Sequence, residues 1–160
     1  MEVQSSIVED ITKVLRQYEE IWNSQEFGRL KEVWDADDPE PWYVAEEIAE
    51  PFRSWPEIEN YWSPKGPRVL DAFRWEFSNL RVKPLAGDLA LALFDHYYEY
   101  GVTIPGRPAQ PPMAGEDRCL ALFRNKAGGW RHILYAQCPQ GPESYVRGLR
   151  ERIVRPDFPE

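Results

Sequence analysis

From Gly87 to Tyr100 the chain reads GDLALALFDHYYEY, and this run constrains the fold more than any other. Gly87-Asp88 is a turn signal, and the residues after it up to Tyr100 contain neither Gly nor Pro, so an extended strand is predicted. Side chains alternate between the two faces of a strand. Leu89, Leu91, Leu93, Asp95, Tyr97 and Glu99 therefore share one face, and Ala90, Ala92, Phe94, His96, Tyr98 and Tyr100 the other. Taking the leucine row as the core face puts Asp95 at the end of an apolar row. A carboxylate so placed meets a partner, titrates upward or lines a wet cavity. The expectation is a protein with an internal pocket.

A chain of 160 residues suits one domain with a sizeable core, and 42% apolar residues with 7 Trp fit a globular protein. The boundaries expected are a single domain over 1–160, with its core over about 7–140 and a C-terminal helix and tail over 141–160. Met1–Ser6 is polar and acidic, without the pattern of a signal peptide, and no apolar run approaches membrane-spanning length. A cytoplasmic location without a membrane partner is expected. The net charge of −8 is uneven: residues 1–60 carry 16 acidic and 5 basic side chains, residues 61–160 carry 11 and 14. There is no basic tract, which argues against nucleic acid as a partner. Cys119 and Cys138 fit neither a disulfide framework nor a metal spacing and read as buried thiols.

The first half reads as helical. Ser6 and Glu9 have capping-box spacing, and Ile7, Ile11, Val14, Leu15, Tyr18, Ile21 and Trp22 follow at the helical period. A shorter helix carries Phe27, Leu30, Val33 and Trp34, and Asp35–Pro39 ends it. Trp42-Tyr43-Val44 reads as a brief strand. A second capping box, Ser54-Trp55-Pro56-Glu57, opens a short helix with Ile58, Tyr61 and Trp62 inward.

The second half reads as an antiparallel sheet, with strands over Val69–Val82, Gly87–Tyr100, Glu116–Asn125 and Trp130–Cys138. The apolar parity changes after Phe77, which predicts a bulge near Ser78-Asn79. Gly101–Gly115, with its four prolines, reads as a non-regular loop, and Lys126–Gly129 as a hairpin turn. A final helix is expected from Pro142-Glu143. Helices first and a strand meander after them define an α+β class.

That order of elements resembles the NTF2-like superfamily, which includes the SnoaL-like cyclases and the ketosteroid isomerases. The phrases that carry the resemblance are Tyr18–Leu30 for the helix pair, Pro51–Ile58 before the third helix, Gly87-Asp88-Leu89-Ala90 at the central strand and Gly128–Leu134 at the last hairpin. The resemblance covers roughly residues 7–140, nearly a whole domain. It implies a cone of three N-terminal helices packed on a bent antiparallel sheet, with a C-terminal helix in addition. Fold alone says little of chemistry. Of the isomerase family's three catalytic roles, only the first-helix tyrosine is matched, by Tyr18; the base position falls near Trp42 and the second donor near Cys119. In epoxide-hydrolase-like relatives an Asp–Arg–Asp arrangement activates water, and Asp95 with Arg118 or Arg131 imitates part of it.

Parity, together with the cone, gives the expected site. Asp95 and Tyr18 are the expected catalytic pair, since a buried carboxyl beside a tyrosine hydroxyl makes a general acid/base. A structural hydrogen bond between Asp95 and Tyr18 or Tyr135 is the alternative. Trp42, Tyr61, Tyr97, Cys119, Ile133, Tyr135 and Gln137 complete the expected ligand-binding lining beneath the loop after Tyr100. No cofactor and no metal are expected, because His96 and His132 have no third ligand nearby in sequence. His96 is expected outside the cone. The partner expected is a small apolar, cyclic molecule, handled by a cofactor-independent lyase, isomerase or hydrolase. The alternatives are a non-catalytic binder and an association domain. Phe94, Tyr98 and Tyr100 are expected at the interface of a homodimer formed through the sheets.

Overall fold

A computed structural model of the chain describes residues 2–63, 69–85 and 87–140. The helix expected from Pro142-Glu143 lies outside the described residues. Helix α1 spans Glu2–Ser24 and buries Ile11, Val14, Leu15, Tyr18, Ile21 and Trp22 along the stripe that the periodicity predicts. It starts before Ser6, so Ser6 and Glu9 lie within it rather than capping it; Glu2–Ser5 holds no helix breaker. Gln25, at φ 59°, ends the helix in the left-handed region.

The second helical segment, Phe27–Val33, is a 3₁₀ helix. Its apolar residues Phe27, Leu30 and Val33 are three apart, the spacing that aligns side chains at three residues per turn. Helix α2 spans Trp55–Trp62 with Ser54 before it. Glu57 Oε2 accepts from the Ser54 hydroxyl at 2.8 Å and from Arg53 N–H at 3.0 Å, so the glutamate reaches back, but the Ser54 side chain caps no helix N–H and the expected capping box is only half formed. Among the described residues no helix is long and apolar enough to cross a membrane.

Strands β1 (Trp42–Val44), β2 (Val69–Pro84), β3 (Leu89–Thr103), β4 (Met113–Lys126) and β5 (Gly129–Pro139) form one sheet in the order β1-β5-β4-β3-β2. The four long strands pair antiparallel, as expected, and β1 adds a parallel pairing through Tyr43 and Tyr135. The loop expected over Gly101–Gly115 is shorter, because β3 and β4 extend to Thr103 and Met113. The β2 bulge falls where parity places it: the register shifts between Ser78 and Arg81, with Asn79 at φ 54°. The β4–β5 register shifts at Leu122/Phe123, opposite Ile133.

The free edge of β2 is covered by α1. Asn23 accepts from Trp75 N–H at 2.8 Å and donates to Trp75 O at 3.0 Å, and Glu19 accepts from Phe77 N–H. One turn apart on the helix, these side chains occupy the edge strand's backbone groups and fix α1 along it.

The helices pack on the opposite sheet face from the one the leucine row suggests. Ala90, Ala92, Phe94 and His96 are buried, whereas Leu91, Leu93, Asp95 and Tyr97 are only half-buried and face away. The reason is space. Two alanines beneath the helices leave room for the buried rings of Tyr18, Trp34, Tyr43, His132 and Tyr135, which fill the core. Tyr18 alone lies against His132 at 5.2 Å, Tyr135 at 5.7 Å and Phe77 at 5.9 Å between ring centroids. The leucines form a cross-strand patch on the outer face instead, Leu91 beside Leu122, which is beside Leu134, and Leu93 beside Leu120, which is beside Ala136.

Candidate functional site

The inward row of β3 runs toward the open end of the cone and there borders a cavity of about 370 Å³. Its wall is aromatic. Trp22 of α1 stacks on Trp75 of β2 at 4.3 Å with an interplanar angle of 4°, and Phe73 lies 5.6 Å from both rings. Tyr98 and Tyr100 continue the wall from β3, stacked at 6.2 Å, and Tyr61 closes it from α2. The alternation that carries Phe73 and Trp75 inward on β2 sets them opposite Tyr100 and Tyr98 on β3.

The polar lining comes from the segment after β1 and from the end of β5: Glu46, Glu47 and Gln137. Glu46 and Glu47 stand at the rim, and each turns one carboxylate oxygen to a tyrosine. The Tyr98 hydroxyl donates to Glu46, and the Tyr61 hydroxyl donates to Glu47 at 2.6 Å. Partial burial of its carboxyl raises the pKa of Glu46; the charge of nearby Asp117 adds to this and the Tyr98 hydrogen bond opposes it. Tyr98 and Tyr61 are pushed up, by burial first and then by these glutamates.

Beneath the lining lies a buried polar cluster. Asp117 is fully buried, and its Oδ2 accepts from Gln137 Nε2 at 2.9 Å and from His96 Nδ1 at 3.1 Å. Asp117 Oδ1 and His96 Nε2 have no hydrogen-bond partner among the described residues. Burial lowers the pKa of His96, against the pull of Asp117, so the imidazole is neutral at pH 7 with its proton on Nδ1 toward the carboxylate. Cys119 Sγ lies 3.3 Å from the Tyr135 hydroxyl, and burial pushes its thiol up.

His96, Asp117 and Cys119 present ligand atoms within 4.8 Å of one another, a donor set able to hold a transition metal. Ligation would require the Cys119 thiolate, against the burial that holds the thiol protonated. Sequence reading missed this trio because Asp117 and Cys119 reach His96 across the sheet rather than along the chain.

Of the residues expected at the site, Tyr61 and Gln137 line the cavity. Asp95 and Tyr18 are not brought together. Asp95 lies on the outer face, accepting from Asn79 Nδ2 at 2.7 Å and Gln140 Nε2 at 3.4 Å. Tyr18 is sealed in the aromatic core, its hydroxyl without a partner among the described residues. Tyr97, also outward, donates to Glu99. Trp42 is 41% exposed because its neighbour Tyr43 takes the inward position on β1. Tyr135 and Cys119 are buried below the cavity, and Ile133 is the extra residue at the β4–β5 register shift. Phe94, Tyr98 and Tyr100, expected at a dimer interface, face inward instead. His96 is inside rather than outside, and Cys138 is exposed rather than buried.

Glu46 escaped sequence reading altogether, for it sits in an irregular acidic segment without periodicity. Its nearest signal is Tyr43-Val44, which ends a strand beside it.

No protein-family profile matches the chain, and no curated protein matches its sequence. Solved structures do. A candidate dehydratase of the NTF2-like family from Streptomyces avermitilis superposes with a TM-score of 0.69 at 15% identity, over 86% of this chain and 99% of that one. A hexachlorocyclohexane dehydrochlorinase gives 0.63 at 12% identity, over 83% and 84%. A candidate calcium/calmodulin-dependent protein kinase II association domain from Xanthomonas campestris gives 0.59 at 14%, over 83% and 86%. The chain thus has the NTF2-like cone fold, with a surface-open aromatic cavity in it. At these identities the likeness establishes the fold alone.

Proposed function

We propose that this chain is a single-domain NTF2-like pocket protein that binds a small, largely apolar cyclic molecule in the aromatic cavity and transfers protons to and from it without a cofactor. Glu46 is the general acid/base and Tyr98 its hydrogen-bonding partner. The observation that carries this reading is the Glu46–Tyr98 pair at the rim of an aromatic cavity, where partial burial raises the Glu46 pKa. Gln137, Asp117 and His96 support the pair from below: burial first, and then nearby Asp117, raises the Glu46 pKa, and Gln137 and His96 hold Asp117 in place. The reaction class is elimination or isomerisation beginning with removal of a carbon-bound proton. The dehydratase and dehydrochlorinase among the fold neighbours are named for eliminations of this kind.

The test is deuterium exchange into a panel of cyclic ketones in D₂O, followed by proton NMR. Wild type should speed exchange of one member, and Glu46→Gln should reduce the rate by about 10²–10⁴-fold, the usual contribution of a positioned acid/base. Exchange unaffected by Glu46→Gln would remove Glu46 from the role. A second reading, an association domain, draws on the outer leucine patch, where Leu120 is 37% exposed, and on the association domain among the fold neighbours. In either reading two copies pair through that patch as a homodimer.

A further inference from the structure

The geometry points to an organic cation, an alkylammonium head on an apolar body, as the class of molecule the cavity takes. This rests on reading the cavity as a ligand site and specifies what enters it.

Three observations combine. The first is the wall: Trp22, Phe73, Trp75, Tyr98 and Tyr100 line one space. Trp22 and Trp75 are stacked on each other, and the half-buried rings of Phe73, Tyr98 and Tyr100 stand beside them, where an aromatic ring attracts a cation through its quadrupole. The second is the sign of the charge. Glu46 and Glu47 line the cavity, and among the described residues no Lys, Arg or His side chain does. Arg74, between Phe73 and Trp75 on β2, has its guanidinium held by Glu99 at 2.7 Å.

The third is the floor. Asp117 is fully buried beneath Gln137, its Oδ2 accepts from Gln137 Nε2 and His96 Nδ1, and no basic Lys or Arg side chain is bonded to it among the described residues. It adds a third acidic side chain close to Glu46. A cation between the rim glutamates and the rings answers the sign of this acidic group. A neutral ligand of the same shape gains the apolar contact and leaves the charges as they were; an anionic ligand is repelled.

Aromatic rings alone would suit any apolar guest, and carboxylates alone would suit any cation. Their convergence selects a cation whose charge is spread over alkyl groups, because a compact ammonium keeps its hydration where a methylated one does not.

The experiment uses choline and its neutral carbon isostere, 3,3-dimethylbutan-1-ol, titrated against the full chain. Quenching of tryptophan fluorescence reports occupancy, since Trp22 and Trp75 line the site. Choline should bind saturably and at least about tenfold more tightly than the isostere, and Glu46→Gln should cut that preference severalfold. Equal affinities would overturn the cation assignment while leaving a ligand cavity in place. If neither probe binds but neutral cyclic molecules do, the assignment also fails and the cavity reading stands. If nothing binds, both fail. Circular dichroism verifies the fold of Glu46→Gln; should that variant not fold, the wild-type ratio of the two affinities decides alone.

Discussion

Tyr98 and Gly115 face each other across β3 and β4, and the Tyr98 ring lies in the space that a side chain at Gly115 would fill. A Cβ built on Gly115 would stand 2.7 Å from Tyr98 Cε1. The glycine is therefore what lets the tyrosine lie flat over β4 with its hydroxyl on Glu46.

Gly115→Ala should displace the Tyr98 ring and break its bond to Glu46. Overpacking of this kind costs about 1–3 kcal/mol. Thermal unfolding should report that loss. Ligand affinity should fall as well, and Tyr98→Phe, which removes the hydroxyl but keeps the ring, should separate the lost hydrogen bond from the lost shape.

Asp95 and Asp117 should differ in what their removal costs. Asp95→Asn should change stability by no more than about 0.5 kcal/mol, as expected of a surface exchange. Asp117→Ala should cost about 1–3 kcal/mol, because it strands the buried donors of His96 and Gln137. Denaturant titrations of the two variants measure both.

His132 should make the fold sensitive to acid. It is fully buried among Tyr18, Trp34 and Phe123, and burial lowers its pKa from 6.5 to about 3. The folded state thus resists a proton that the unfolded chain accepts below pH 6.5. The stability is fully present above pH 6.5 and drains as pH falls toward 3, by about 1.4 kcal/mol per pH unit for this group. His96, also lowered, acts in the same direction. A His132→Phe variant should flatten the stability–pH curve over that window, read by urea unfolding at several pH values.

The leucine face should govern self-association. Leu120→Glu puts a charge at the centre of the cross-strand patch formed with Leu91, Leu93, Leu122 and Leu134. Light scattering should give a dimer for wild type and a monomer for Leu120→Glu with its fold intact. A wild-type monomer at micromolar concentration would count against pairing through this face.

Much of the architecture is legible in the sequence, because it follows from local periodicity. The three-residue spacing of Phe27, Leu30 and Val33, the Ser54–Glu57 box and the parity change at Ser78-Asn79 all report on their own neighbourhoods. Which face of β3 is buried is not local. Leucines look like the stronger core row, yet Ala90 and Ala92 are the residues beneath the helices, since the rings facing them are too large for leucine opposite. The chemical idea of a carboxyl beside a tyrosine survives, but on Glu46 and Tyr98 rather than Asp95 and Tyr18. That pairing joins residues 52 positions apart and depends on a missing side chain at Gly115. No pattern along the chain encodes it.

The ionisation of Glu46 decides whether it can serve as the acid/base beside Tyr98. Its side-chain carboxyl can be titrated by carbon-13 NMR in wild type and in Asp117→Asn. The pKa should lie above the ordinary 4.5 in wild type and move back toward it when the Asp117 charge is removed. A value at or below 4.5 in wild type, unmoved in Asp117→Asn, would contradict the proposed acid/base pair.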